Sequence, residues 1–136
     1  MILVDSNVVI DLIEPRSAWH EWSSAQVSDR IDRGLFINTI VVAEIGGRFG
    51  ALEELADALA QISMPVIDLS VRACWLAGRA YLQWVRNGGR RGAILPDLLI
   101  GAHAVAESAA VLTRDPRRFR TCFPDLELIT PEPDHD

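Results

Sequence analysis

Short runs of consecutive apolar residues alternate along this chain with longer stretches whose apolar positions recur every three or four residues, the pattern of buried strands separated by amphipathic helices. Met1-Ile-Leu-Val4 reads as the first strand. Asp5-Ser6-Asn7 then supplies capping chemistry ahead of Val8, Val9, Ile10, Leu12 and Ile13, so a helix follows directly. Pro15 breaks it. A second helix is predicted from Arg16 to Arg33, carrying Trp19, Trp22, Val27 and Ile31, with Gly34 placed as a C-terminal cap. Leu35-Phe36-Ile37-Asn38 is the second strand. Val41, Val42, Ile45 and Phe49 follow at helical spacing, and a leucine-rich helix runs from about Ala51 to Ile62, with Gly46, Gly47 and Gly50 weakening the junction.

Pro65-Val-Ile-Asp-Leu69 is the third strand, and Val71 to Val85 a long helix with Trp75, Leu76, Leu82 and Val85 facing inward. Asn87 to Gly92 reads as a mobile loop. Pro96 suits the first turn of a helix reaching about Ser108. Ala110 to Thr113 and Leu126 to Thr130 are strands four and five, and residues 131–136 form a polar tail. Strands that alternate with helices in this way imply a parallel sheet of about five strands covered on both faces: a three-layer α/β/α sandwich, in one domain over residues 1–130.

Composition narrows the functions this fold can carry. With 136 residues, 49% of them hydrophobic, the chain can bury a substantial core. No apolar run approaches the roughly 20 residues that span a bilayer, and a carboxylate at Asp5 interrupts the N-terminal run too early for a signal peptide, so a cytoplasmic location with no membrane partner is expected. Cys74 and Cys122 have no metal-ligand spacing and read as buried thiols. All 13 basic residues are arginine, which removes the P-loop lysine and Schiff-base chemistry. The net charge of −6 argues against a generic polyanion binder, yet the segment from Arg86 to Arg120 is locally +4 and the remainder −10. One face is expected to be basic.

In open parallel sheets the active site lies beyond the carboxyl ends of the strands, which singles out the acids placed there. Asp5 ends strand one, Asp115 ends strand four, and Asp97 begins the helix before strand four. Glu44 sits in the first turns after strand two, in Thr39-Ile-Val-Val-Ala-Glu44, where burying an unpaired carboxylate would cost several kcal/mol. Four such acids with no lysine or arginine at matching positions would repel one another, and a divalent cation is the simplest neutralising agent. Oxygen-only ligands favour Mg²⁺ or Mn²⁺, metals that support phosphodiester hydrolysis.

Leu3-Val-Asp5-Ser-Asn-Val-Val-Ile-Asp11, Val41-Val-Ala-Glu44-Ile, Pro96-Asp97-Leu-Leu-Ile-Gly-Ala-His-Ala104 and Leu112-Thr-Arg-Asp115-Pro-Arg-Arg-Phe119 resemble, in order, the four motifs of PIN-domain ribonucleases. The chain is most similar to the VapC toxins of type II toxin–antitoxin pairs, and Phe123-Pro-Asp-Leu-Glu-Leu-Ile129 resembles that family's closing strand. The resemblance implies a Mg²⁺- or Mn²⁺-dependent endoribonuclease that leaves 5′-phosphate and 3′-hydroxyl ends, with Asp5, Glu44, Asp97 and Asp115 as the acidic, metal-holding quartet. Ser6 and Thr113 match the family's hydroxyl positions. It also implies a homodimer silenced by a cognate VapB antitoxin. Gly101 departs from the pattern, standing where the family more often has alanine.

Simpler roles compete at several of these positions. Asp5 and Asp97 could be helix caps, and Asp115 before Pro116 could open a turn. Asp11, six residues beyond Asp5, reads as a solvated helix position, and His103 as packing or surface. Arg90, Arg91, Arg114, Arg117 and Arg118 are the expected RNA contacts, since an acidic pocket needs cationic flanks for the phosphate backbone, although a charge run can also be a solvated face. Trp19, Trp22, Trp75, Tyr81 and Trp84 could stack on bases, but their helical spacing favours core or interface packing. Among other functions, a receiver domain wants a lysine that is absent here, and a haloacid-dehalogenase phosphatase wants a DxD where the chain has Asp5-Ser6-Asn7. A PIN nuclease of RNA processing outside a toxin–antitoxin pair and a non-catalytic α/β binding domain remain as alternatives.

Overall fold

The structure, a computed structural model, describes residues 1–131, so all but the first residue of the expected polar tail lies outside the described residues. Strands β1 (Ile2–Val4), β2 (Leu35–Asn38), β3 (Val66–Ile67), β4 (Ala110–Leu112) and β5 (Leu128–Ile129) form one parallel sheet in the order β3-β2-β1-β4-β5. The helices are α1 (Ser6–Ile13), α2 (His20–Asp29), α3 (Thr39–Gly46), α4 (Leu52–Ile62), α5 (Val71–Arg86), α6 (Pro96–Ala106) and α7 (Arg117–Cys122). The chain steps from β1 outward to β3, then crosses back and steps outward the other way. Right-handed crossovers therefore put α1–α4 on one face and α5–α7 on the other, the expected three-layer sandwich. In the inter-helix contacts α1 packs on α2, α3 and α4, and α5, α6 and α7 pack on one another, while α3 also touches α6.

The core sits where the sequence pattern puts it. Ile2, Leu3 and Val4 are fully buried, as a central parallel strand covered on both faces requires, and they pack with Phe36, Ile37, Val111 and Leu112. Asn38 ends β2 and caps α3: its Oδ1 accepts from the Val41 N–H at 2.9 Å, and its amide donates to Nδ1 of His103 on α6 at 3.0 Å. His103 is thus a buried packing residue. Burial holds its pKa below the usual value, with Glu107 pulling the other way.

Several boundaries differ from expectation. The second helix starts at His20 rather than Arg16, because Ser17 closes a turn: its N–H donates to the Glu14 carbonyl and its hydroxyl to Asp11. It stops at Asp29, and Ile31–Arg33 is a 3₁₀ turn ended by Gly34 at φ 80°, a conformation that suits glycine. The third and fifth strands shrink to two residues each, and α7 was not anticipated. Trp75 and Leu82 are exposed rather than inward, Cys74 is exposed and Cys122 only half-buried. The Asn87–Gly92 loop is pinned rather than free, since the Tyr81 hydroxyl donates to the Gly92 carbonyl at 2.6 Å and accepts from its N–H at 2.9 Å.

Gly101 has a packing reason. A methyl group there would meet Cε2 of Phe123 at 2.4 Å and Cδ2 at 2.5 Å, so the phenyl ring occupies the room that alanine would need. Gly101→Ala is expected to cost about 1–3 kcal/mol by overpacking, and the double variant with Phe123→Leu to recover most of it. Denaturant melts of the single and double variants check this. An unperturbed single variant would mean the ring moves aside freely.

Candidate active site

The strand order reverses between β1 and β4, and the crevice beyond their carboxyl ends is where such sheets bind ligands. Asp5 follows β1 there and Thr113 follows β4, and a 2.7 Å hydrogen bond from the Thr113 hydroxyl to Asp5 Oδ2 closes the gap. Asp5 Oδ1 accepts from the Ser6 N–H at 2.8 Å, so the residue caps α1 while its Oδ2 is held by Thr113. Asn7 completes the knot. Its amide donates to Asp5 Oδ2 at 3.4 Å and Thr113 Oγ1 at 3.2 Å, while its Oδ1 accepts from the Arg114 N–H at 3.1 Å. Sequence reading gave Asn7 no role beyond capping, although its place in the first motif was the available signal.

Asp5 is only 4% exposed. Burial is the main cause that raises its pKa to about 6, helped by the nearby charges of Asp97 and Glu44 and opposed by the Thr113 and Ser6 hydrogen bonds. Glu44 is raised as well, by desolvation of its carboxyl and by Asp97, with Ser6 pulling the other way. Asp5, Glu44 and Asp97 therefore share one crevice and feel one another's charge. The expectation that Glu44 is a buried acid is corrected: it lies on an exposed part of α3, and only its carboxyl is crowded. Asp97 is the second residue of α6, makes no capping bond, and lines the cleft.

The absence of cations among the acids is also corrected. Arg118 Nη1 donates to Asp97 Oδ2 at 3.1 Å, and Arg117 Nε to Asp115 Oδ1 at 3.1 Å. The helix α7 is what brings them in. Its arginines sit one turn beyond Asp115, on an element that the sequence pattern did not reveal. Asp115 is exposed, and its pKa is lowered chiefly by the Arg117 hydrogen bond. It lines the outer cleft with Trp84, Asp97, Arg117, Arg118 and Thr121, about 340 Å³ in volume. Among the described residues no group of three or more His, Cys, Asp or Glu side chains has the spacing of a formed metal site.

Two residues change character. Asp11 is buried rather than solvated: Ser17 Oγ, Ser23 Oγ and Arg114 all donate to it, at 2.7, 2.6 and 2.7 Å. Arg114, expected on the phosphate-facing surface, commits its guanidinium to Asp11 and lies 5.3 Å from the Trp19 ring centroid. A buried carboxylate needs such a partner, which is why this arginine is not free for RNA. Arg90 and Arg91 remain exposed on the pinned loop.

These features define an α/β domain whose crevice is acidic in its depth and edged by arginines. The chain belongs to the PIN domain family, whose model matches residues 2–123. No curated protein matches it in sequence. In fold it is similar to VapBC2 from Rickettsia felis, solved bound to a promoter DNA fragment, at 22% identity and TM-score 0.77 over 97% of this chain and 100% of that one. It is also similar to the DNA-bound VapBC of Salmonella typhimurium, at 21% identity and TM-score 0.73 over 95% and 96%. The Sarcin–Ricin loop cleaving toxin VapC20 of Mycobacterium tuberculosis matches at 16% identity and TM-score 0.64 over 89% and 95%. No described helix is long and apolar enough to cross a membrane.

Proposed function

We propose that this protein is a Mg²⁺- or Mn²⁺-dependent endoribonuclease, the toxin of a toxin–antitoxin pair, acting in the cytoplasm. The observation that carries the reading is the convergence of Asp5, Glu44 and Asp97 on the crevice at the switch point of the sheet, with Asp115, Arg117 and Arg118 at its rim. The donor set fits a hard cation. It is all oxygen, one member is buried, and two of the acids, Asp5 and Glu44, are pushed toward the neutral form, first by desolvation and further by the nearby charge of Asp97. Asp5, Glu44 and Asp97 would hold the ion, with Asp115 joining from the rim; when bound it supplies Lewis-acid polarisation of a phosphodiester and an activated water.

The chain's own residues do the rest. Thr113 and Ser6 fix the Asp5 carboxylate by hydrogen bonds, so its oxygens are aimed before substrate arrives. Arg117 holds the exposed Asp115 carboxylate and Arg118 the partly exposed Asp97 carboxylate through weak pairs, and both can turn to phosphate oxygens, which arginine engages bidentately. The partner reading draws on the VapBC neighbours and on a groove of about 690 Å³ whose apolar lining includes Leu12, Ile13, Val27 and Phe49. Its rim carries Glu54 and Asp57, which suits a VapB-type segment with apolar anchors and basic flanks. The exposed Val71, Trp75 and Leu82 of α5 support a homodimer.

The direct test is cleavage of total cellular RNA by partner-free protein with Mg²⁺, with Mn²⁺ and with EDTA. Discrete metal-dependent fragments are expected. Their absence from a folded, partner-free sample overturns the reading.

A second test uses the acids' titration. Asp5 has a folded pKa of about 6 against 3.8 for the free side chain, so the native state holds its proton more tightly. Its contribution to stability is then full below pH 4 and is lost as pH rises to about 6, by roughly 3 kcal/mol at 1.36 kcal/mol per pH unit. Glu44 works in the same direction, whereas Asp11 and Asp115, both lowered, lose stability only toward more acid pH. In EDTA the Tm is expected to fall between pH 5 and 7.5. Added Mn²⁺ should restore it at pH 7.5 and do little at pH 5. Equal Mn²⁺ stabilisation at both pH values would remove Asp5 from the ligand set.

A further inference from the structure

Of the five aromatic residues that could meet a base, one lines the cleft of Asp97 and Asp115. Trp19 is occupied by the Arg114 guanidinium and packs edge-on against Trp22, with ring centroids 5.9 Å apart. Trp75 lies on the exposed face of α5 with Arg79 5.9 Å from its ring, and Tyr81 is bonded into the Gly92 backbone. Trp84 alone among them lines the cleft that holds Asp97 and Asp115.

Its surroundings are built rather than incidental. A methyl group on Gly89 would lie 2.3 Å from Cδ2 of the indole, so the loop backbone rests directly on the ring and only glycine permits it. The Gly89 N–H donates to the Trp84 carbonyl at 2.8 Å and the Gly88 N–H to the Val85 carbonyl at 3.1 Å. With Gly92 held by Tyr81, the loop is fastened on both sides of Arg90 and Arg91. Both arginines are exposed, and neither belongs to an ion pair among the described residues. The Arg118 guanidinium lies 5.8 Å from the Trp84 ring centroid while bonded to Asp97, so a planar group reaches the indole from the carboxylate side of the cleft.

We propose that Trp84 and the loop resting on it form a subsite for one unpaired nucleotide of the RNA, the base stacked on the indole and the adjoining phosphates met by Arg90 and Arg91. This rests on the ribonuclease reading above. An indole beside acids and unpaired guanidinium groups matches the two surfaces of a single-stranded nucleotide, an apolar π-face and an anionic backbone. The small cleft volume suits one nucleotide rather than a duplex. Arg118, held to Asp97 only by a surface pair, gives up the ring when it turns to phosphate.

The test is fluorescence anisotropy in EDTA, which prevents metal-dependent cleavage, with a labelled short oligoadenylate and a matching abasic ribose-phosphate oligomer. Trp84→Ala is expected to weaken oligoadenylate binding about 10-fold or more and to leave abasic binding unchanged, since base stacking is worth that much. Trp84→Phe should keep most of the affinity. The double variant Arg90→Ala/Arg91→Ala should weaken both oligomers alike and lower the slope of log affinity against log salt by roughly one to two. If Trp84→Ala does not fold, Trp84→Leu, which keeps apolar packing under Gly89, carries the same comparison. Equal loss on both oligomers, or none, overturns the subsite and leaves the nuclease standing if the wild type still cleaves. A wild type that binds neither oligomer and cleaves no RNA overturns both.

Discussion

Asp97→Asn is expected to lower metal-dependent RNA cleavage by about 100-fold or more while leaving the Tm near that of the wild type. A loss of that size is what removing one preorganised charged group at a reaction centre produces. The fold does not depend on the charge. Asp97 makes no capping bond to α6, and its contact with Arg118 is a partly exposed ion pair of the kind worth ~1 kcal/mol or less. Asparagine keeps an oxygen that can accept from Arg118. The change also takes one negative charge away from Asp5 and Glu44, each of which Asp97 pushes toward the neutral form. Stability in EDTA at neutral pH should therefore hold or rise slightly. Asp115→Asn should be milder, because Asp115 is 56% exposed and already paired with Arg117. Initial rates with Mg²⁺, read beside Tm, check both parts. An Asp97→Asn protein with full activity would remove this residue from the site, and an unfolded one would show that its charge is structural.

What the sequence disclosed and what it hid divide along a physical line. The sheet was legible because Ile2-Leu-Val4 and Ala110-Val-Leu112 are buried on both faces, and continuous apolar runs bounded by polar residues have few other meanings. Asp5 was legible because a carboxylate at the end of such a strand has a position fixed by the fold. Pairings between distant segments were not. Arg114 and Asp11 are 103 residues apart, and neither position carries a local mark of the other. The α7 arginines hid for a different reason: a helix of six residues, four of them Arg or Thr, has too few apolar positions to show a period. The inward face assigned to α5 erred where the helix keeps Trp75 and Leu82 exposed, since an apolar stripe looks the same whether it meets the core or another surface.

The Asp11–Arg114 pair yields the largest expected change in stability. Arg114→Ala should cost about 3 kcal/mol, near the lower end for breaking a buried pair, because Asp11 is 1% exposed but Arg114 27%. That corresponds to a fall in Tm of roughly 10 °C for a domain of this size. Without the guanidinium, the Asp11 carboxylate keeps only the Ser17 and Ser23 hydroxyls. Arg114→Lys should recover only part, since an ammonium cannot reproduce the bonds from Nε at 2.7 Å and Nη2 at 3.2 Å. The pH dependence separates this pair from general packing loss. Burial raises the Asp11 pKa, but the hydrogen bonds from Arg114, Ser23 and Ser17 outweigh it and hold the group below its free value of 3.8. A lowered carboxylate pKa gives stability that is present above pH 4 and lost as pH falls through the folded value. The gap between wild type and Arg114→Ala should therefore narrow in acid, and Asp11→Asn placed in the Arg114→Ala background should regain stability at pH 7. A gap that persists unchanged at pH 3 would assign the loss to the Arg114–Trp19 contact instead. The pair also reaches the site: the Arg114 backbone N–H holds Asn7, and the neighbouring Asp115 N–H donates to Thr113 Oγ1, so loosening the guanidinium loosens the loop that fixes Asp5.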